Sequence, residues 1–310
     1  MIMSVFTPTY NRIDLMKRLF ESLVSQTCQD FEWIVVDDAS TDGTEEWINE
    51  IESHSSFAIV YQKVDHGGKH RAINTGVSLA KGEYLFFVDS DDYLPNNSIE
   101  TIIGWIGQIG EDKTIAGIAG LRQTPKGEIV GESPRIPVGA YIECDNLKRY
   151  RKHLLGDKAE IYKTEILKKY PFPEFENEYF LTERIVWDKI AADGYILRWY
   201  NTPIYMCDYQ QNGLTGSGAN KKRGHIDNFQ GYSAFMKQSV CVMESEEAVT
   251  FFREYDQTTR FLKMPLSKRA SNIGCSTNHY LFFLLIKMPF FYIIVLMRRF
   301  VNRVGRALLD

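Results

Sequence analysis

Three carboxylates fall within four positions at Asp89-Ser90-Asp91-Asp92, directly after the apolar run Tyr84-Leu85-Phe86-Phe87-Val88. An uninterrupted run of this kind reads as a strand in a sheet covered on both faces. Desolvating several negative charges together is costly, so carboxylates at the end of a buried strand require a cation or a polar ligand beside them. Hard oxygen donors suit Mg2+ or Mn2+, which keep several waters and take substrate phosphate in the remaining positions. Asp and Ser are also ordinary turn and cap residues, and a solvated turn ahead of a helix near Pro95 is the competing reading.

The elements that must position these residues alternate along the first half of the chain. Residues 2–7, 31–36, 57–62 and 84–88 read as strands, and 13–26, 44–51 and 71–80 as helices, the first with Leu15, Leu19 and Leu23 on one face. Strand and helix units in this order predict a Rossmann-like, mostly parallel sheet flanked by helices, an α/β fold. Ligands of such sheets bind outside the carboxyl ends of the strands. Each of those ends is polar here: Thr7-Pro8-Thr9-Tyr10-Asn11-Arg12, then Asp37-Asp38-Ala39-Ser40, then Asp65-His66-Gly67-Gly68-Lys69-His70-Arg71, and finally the Asp89 cluster. Paired glycines allow close approach of backbone to ligand, and Lys69 with Arg71 at a helix start favours an anion. His66 and His70 have a spacing open to metal binding, but without a third partner they read as loop residues.

Composition sets the outer limits. A chain of 310 residues with 44% hydrophobic and 25% charged residues buries a large core and is not disordered. A formal net charge of -4 gives no general pull toward nucleic acid, although basic residues collect near the C-terminus. The cysteines at 28, 144, 207, 241 and 275 are scattered and form no CxxC pair, which favours free thiols in a reducing compartment. Met1 to Phe6 lacks the basic start and long apolar stretch of a secretory signal, so the catalytic part is expected in the cytoplasm.

Taken together, Thr-Pro-Thr-Tyr-Asn-Arg at 7–12, Val-Val-Asp-Asp-Ala-Ser at 35–40, Gly-Gly-Lys-His-Arg-Ala-Ile-Asn at 67–74 and Asp-Ser-Asp-Asp at 89–92 resemble the motifs of family 2 glycosyltransferases, in that family's order. The resemblance is firm over about the first hundred residues and continues more weakly to about residue 215. It implies the GT-A fold and inverting, metal-dependent transfer of a sugar from a nucleotide sugar, UDP-linked, to a hydroxyl of a surface-glycan or lipid-linked acceptor. It also implies roles. Thr7, Pro8 and Asp38 would border the base, with Tyr10 of the same motif among the substrate-binding residues. Asp89, Ser90 and Asp91 would form the DxD element, touching the ribose and, through Mn2+ or Mg2+ held by Asp91 and Asp89, the diphosphate. Lys69 and Arg71 would lie beside these groups, and Asp157 would line the acceptor side.

Similar enzymes use a carboxylate to deprotonate the acceptor. Relatives carry Glu-Asp where this chain has Glu183-Arg184, so Glu183 is the expected base and Asp188 the alternative. On one helix these two side chains point roughly 140° apart and would not serve one site. A glycosyltransferase domain over 1–220 is expected, with a nucleotide-sugar half at 1–100 and an acceptor half at 101–220, followed by a helical region at 221–310. Within the latter, residues 280–297 are apolar except for Lys287 and Pro289, and Arg298, Arg299, Arg303 and Arg306 follow. Too short and interrupted for a clear span, this segment reads as an interfacial helix with arginines toward anionic lipid, at the inner face of the cell membrane. Packing into the protein or a dimer is the other reading. The glycine-rich stretch 212–218, followed by Lys221-Lys222-Arg223, reads as a linker or as a lid over the diphosphate. A nucleotidyltransferase that makes nucleotide sugars and a non-catalytic nucleotide- or glycan-binding protein are the competing functions; the former usually has a long glycine-rich basic loop where this chain has Thr7-Pro8-Thr9-Tyr10-Asn11.

Overall fold

Alternation of strand and helix in the computed structural model follows the apolar runs closely. Residues 2–207, 224–240 and 246–287 are described. In order come β1 (Met3–Thr9), α1 (Ile13–Val24), β2 (Phe31–Asp37), α2 (Thr44–Glu52), β3 (Ala58–Lys63), α3 (Lys69–Leu79) and β4 (Tyr84–Phe87). They are followed by α4 (Ser98–Ile106), β5 (Ile115–Gln123), β6 (Tyr141–Cys144), a 3-10 turn over Asn146–Lys152, β7 (Lys158–Lys163), α5 (Thr164–Leu167), α6 (Arg184–Ala192) and β8 (Ile196–Met206).

The eight strands form one sheet in the order β3-β2-β1-β4-β7-β5-β8-β6. The first four pair in parallel, and β7 enters antiparallel between β4 and β5. Because β2 lies on one side of β1 and β4 on the other, the strand order reverses there, and the crevice beyond β1 and β4 is where such sheets accept ligands. Every residue of β2 is buried, as expected of a strand covered on both faces. Met16, Leu19 and Leu23 of α1, Ile48 of α2, and Ile99, Ile102 and Trp105 of α4 belong to one core cluster with β1, β2 and β4. Trp187 of α6 packs on Phe87 of β4 and stacks on Tyr162 of β7, with ring centroids at 5.3 and 4.4 Å. That contact seats the start of α6 over the middle of the sheet.

Two compact units divide the chain, Met1–Gly216 and Ser217–Asp310. In the second, α7 (Phe229–Val240), α8 (Glu246–Phe261), α9 (Leu266–Asn272) and α10 (Thr277–Phe282) are followed by a π-helical turn at Phe283–Lys287. Buried Asp256 organises this unit: it pairs with Arg260 at 2.7 Å and Arg269 at 3.5 Å, and accepts the Tyr280 hydroxyl at 3.0 Å. The apolar run therefore begins packed, with Tyr280 and Phe283 buried, whereas Phe282 and Leu285 are exposed. No helix among the described residues is long and apolar enough to cross a membrane. The glycine-rich stretch 212–218, Lys221-Lys222-Arg223 and the arginines from Arg298 onward lie outside the described residues.

The helix that carries Lys69 approaches the sheet through a glycine. A Cβ added at Gly76 of α3 would lie 2.2 Å from the ring of Phe6 in β1. Gly76→Ala should therefore cost about 1–3 kcal/mol of overpacking, while Ser78→Ala on the exposed face of the same helix should stay within about 0.5 kcal/mol. Urea unfolding of both variants tests the packing; equal midpoints would refute it.

Candidate active site

The register of the parallel strands sets Thr9 opposite Asp37, and Asp37 opposite Lys63, so the polar segments after β1, β2 and β3 emerge along one edge of the sheet. The segment after β2 is built first. Asp37 accepts the Ser40 amide at 2.8 Å and the Tyr61 hydroxyl at 2.7 Å, and burial followed by this bond holds the Tyr61 hydroxyl well above its ordinary range. Asp38 donates its amide to the Thr9 carbonyl at 2.9 Å, and its carboxylate accepts the amides of Gly67 and Gly68 at 2.6 and 2.9 Å. His66 Nδ1 stands 2.9 Å from the same carboxylate. Gly68 adopts φ 87°, a conformation that favours glycine, and this turn opens directly into α3. One carboxylate thus ties the end of β2 to the start of the helix bearing Lys69.

Above this turn the His66 ring lies between two exposed tyrosines, Tyr10 at 4.5 Å and Tyr179 at 5.0 Å between centroids. Thr7 is fully buried and its hydroxyl accepts the Trp33 indole N–H at 3.0 Å, so its side chain serves the core. Pro8 is half-buried.

At the end of β4 the carboxylates meet their cations. Lys69 Nζ lies 2.6 Å from Asp89 and 2.8 Å from Glu183. Arg122, near the end of β5, approaches the other oxygen of Asp89 at 3.4 Å and Asp92 at 3.8 Å, and its guanidinium lies 4.2 Å above the Tyr205 ring. The Tyr205 hydroxyl in turn accepts the Asp89 amide at 2.9 Å. Asp91 pairs with Arg12 at 2.8 Å, and its carbonyl accepts from Arg18. Ser90 is buried in the turn between them.

Burial opposes ionisation of Asp89, yet Lys69 and Arg122 outweigh it and hold this carboxyl well below the usual carboxylate range. Lys69 is correspondingly raised: burial works against its charge, and Asp89 and Glu183 more than restore it. Asp92 goes the other way, pushed up to about 6 by burial and then by the charge of Asp89. Four carboxylates, Asp89, Asp91, Asp92 and Glu183, here face Arg12, Lys69 and Arg122.

Among the described residues no group of three or more His, Cys, Asp or Glu side chains is placed to hold a metal ion. Mg2+ does not need such a cage, because it is ordinarily bound by one or two carboxylates with waters and substrate phosphate. Asp89 and Asp91 provide hard oxygens of that kind, with their side chains 26% and 22% exposed, and so fit a divalent ion bound together with a diphosphate.

The two acids considered for proton transfer occupy different surroundings. Glu183 immediately precedes α6, and its side chain is 34% exposed. Asp188 is buried inside α6's packing, accepting from Asn146 and standing 3.3 Å from Arg184. Arg71 is not among the cations around Asp89: its guanidinium donates to the carbonyls of Gly67, Glu178 and Phe175. Asp157 is exposed ahead of β7, beside Lys158, whose carbonyl accepts Arg122 Nε at 2.9 Å. Arg122 and Tyr205 escaped the reading from sequence. The signal was a lone charge near the end of the otherwise apolar strand Ile115–Gln123, a full 30 residues past the Asp-Ser-Asp-Asp motif.

Residues 4–171 match the family model described as glycosyl transferase family 2. Among curated proteins, the chain is 32% identical over 141 residues to a poly(ribitol-phosphate) beta-glucosyltransferase of Bacillus spizizenii, covering 44% of this chain and 22% of that protein. It is 36% identical over 114 residues to glycosyltransferase GlyG of Streptococcus pneumoniae, covering 37% and 38%. The matched regions thus span well under half of these relatives. Among solved structures, Staphylococcus aureus TarS 1–349 in complex with UDP superimposes with a TM-score of 0.60 at 19% identity over 88% of this chain and 80% of that one. Mannosyltransferase PcManGT from Pyrobaculum calidifontis, in complex with GDP-Man and Mn2+, gives 0.50 at 18% over 87% and 72%. These likenesses establish the GT-A fold. With the family match covering more than half of its 310 residues, the chain belongs to glycosyl transferase family 2.

Proposed function

We propose that the protein is an inverting transferase that moves a sugar from a UDP-linked donor to a hydroxyl of a surface-glycan or lipid-linked acceptor, with Mn2+ or Mg2+ at Asp89 and Asp91. The observation that carries this reading is the Lys69 ammonium, which brings Asp89 and Glu183 to hydrogen-bond distance of one atom. A DxD-type carboxylate and a second acid, about a third exposed, are thereby drawn to the same ammonium. Support for the donor comes from the TarS complexes with UDP and UDP-GlcNAc, and for the metal from the Mn2+ of PcManGT. Two compact units suggest the division of labour: residues to about 220 for transfer, the helical remainder for location.

Residue roles follow from position. Tyr10, Pro8 and Asp38 border the base, and Lys69, Arg12 and Arg122 offer positive charge to the diphosphate. The acceptor oxygen attacks the anomeric carbon as its proton passes to the Glu183 carboxylate. The bond from that carbon to the diphosphate breaks on the opposite face, its electron pair leaving with the diphosphate, and the configuration inverts. A divalent ion, when bound, supplies a Lewis acid for that departing charge. Asp157 lies toward the acceptor side.

Three results test this reading. With Mn2+ and a panel of UDP-glucose, UDP-GlcNAc and GDP-mannose, one UDP-sugar should release UDP, and Asp91→Ala should abolish the metal-dependent part. Release unaffected by that substitution would refute the metal assignment. Glu183→Gln should keep UDP affinity while transfer falls by about 10²-fold or more. A comparable loss in Asp188→Asn with Glu183→Gln active would move the role to Asp188. For location at the inner membrane face, the motive is exposed Phe282 and Leu285 at the start of the apolar run that leads to the arginines. The full chain should bind phosphatidylserine vesicles, high salt should release it only in part, and Leu285→Ser should weaken binding. Absence of vesicle binding at low salt would exclude the membrane reading.

A further inference from the structure

Residues 171–183 connect α5 to α6 and deliver Glu183 to Lys69, and they contain neither helix nor strand. The position of Glu183 therefore depends on what holds this connection. One face of α3 holds it from Phe172 to Tyr179. Arg71 Nη1 donates to the Glu178 carbonyl at 2.7 Å and, in the same reach, to Gly67 at 2.6 Å; Nη2 donates to Phe175 at 2.5 Å, and Nε stands 3.3 Å from Glu174. One turn further on, the Asn74 side chain donates to the Phe172 carbonyl at 3.0 Å and accepts the Phe172 amide at 2.8 Å. At the head of the helix the backbones themselves meet: a Cβ on Gly68 would lie 1.9 Å from the Tyr179 carbonyl oxygen.

We infer that Arg71 is a positioning residue for Glu183, fixing the 171–183 connection against α3, and takes no direct part in holding the nucleotide. A guanidinium has five N–H donors in a planar fork, and four partners here are backbone carbonyls or a carboxylate of this connection and its neighbouring turn. Contact with a diphosphate would require giving up several of these bonds. The arrangement also places the two controls of Glu183 on one helix: Lys69 meets its carboxylate, and Arg71, two residues on, meets the backbone that carries it. A displacement of about 1 Å at a reacting group is enough to lower a rate by about 10²-fold, so a residue outside the chemistry gains leverage over it. Lysine does not replace such a fork, since its single ammonium cannot reach three separated carbonyls in fixed directions.

The inference rests on Glu183 as the base, and the test separates the two. Arg71→Ala and Arg71→Lys, each checked for native circular dichroism, are compared with the native chain and with Glu183→Gln. Three quantities are measured: affinity for UDP with Mn2+ by calorimetry, amide hydrogen exchange over 171–183, and UDP release from UDP-GlcNAc. Both Arg71 variants should bind UDP within about twofold of native, lose exchange protection over 171–183 by about tenfold or more, and lower the rate of UDP release without changing the KM for UDP-GlcNAc. Unchanged exchange in both variants, or UDP affinity lowered by about tenfold, overturns the inference and returns Arg71 to the diphosphate. Should Arg71→Ala fail to fold, Arg71→Lys keeps the charge and carries the test alone. If Glu183→Gln releases UDP at the native rate while the Arg71 variants loosen 171–183, the base assignment fails and the strap stands.

Discussion

A single ammonium shared between two carboxylates ties the candidate site together. Lys69 meets Asp89, at the end of the strand in the middle of the sheet, and Glu183, delivered by a connection more than ninety residues later. All three side chains are between a quarter and a third exposed, so solvent screening limits the net gain to about 1 kcal/mol or less. Stability is therefore a poor explanation for the trio. Its significance is geometric: two acids from distant parts of the chain are drawn to one nitrogen, so that under the proposed function donor-side and acceptor-side groups would share a fixed origin. The rest of the fold serves that origin, from the Asp38 clamp at the head of α3 to the Trp187 ring that seats α6.

Charge around Asp89 is layered in a consistent way. Lys69 and Arg122 flank it, Tyr205 lies beneath Arg122, and Arg12 waits on Asp91. A carboxylate cluster so provided with cations can survive desolvation without a ligand, and under the proposed function a metal and a diphosphate would exchange partners with it. At Asp92 burial and the adjacent charge of Asp89 outweigh Arg122 and Tyr205, which is why its carboxyl is pushed up to about 6 while that of Asp89 is held down.

The strand ends were legible in the sequence because they obey a local rule: apolar runs of four to seven residues stop where polar, glycine-containing segments begin. Hence the four strand ends, the glycine turn and the carboxylate cluster were found, and family membership agrees with the motif reading rather than with a nucleotidyltransferase. Helical geometry likewise foretold that Glu183 and Asp188 would part company, as they do. What stayed hidden depends on where long side chains go after leaving the backbone. Arg71 and Lys69 are two residues apart on one helix, yet one turns to the carboxylates and the other to the connection. Nothing in their spacing distinguishes them. The partner of the Thr7 hydroxyl was hidden for the same reason: it accepts from Trp33, 26 positions away, whose buried indole N–H is satisfied there. Arg122 reaches the site from β5, across the intervening β7, in an order that no local pattern announces.

That insertion has a consequence for synthesis. β4 is complete once residue 87 has emerged, but its neighbour β7 does not begin until Lys158. At ribosomal speeds of about 5–20 residues per second, roughly 70 residues amount to several seconds during which one side of β4 is an unpaired, aromatic strand edge. Such edges invite pairing with other chains. The parallel contact of β5 with β8 closes later still, after Ile196, so the sheet is assembled from both directions around a gap. High-contact-order topologies of this kind fold slowly. The strand that ends at the candidate site is thus exposed to misassembly while the chain is being made, and Tyr84-Leu85-Phe86-Phe87 is the kind of aromatic edge that a nascent-chain chaperone would cover.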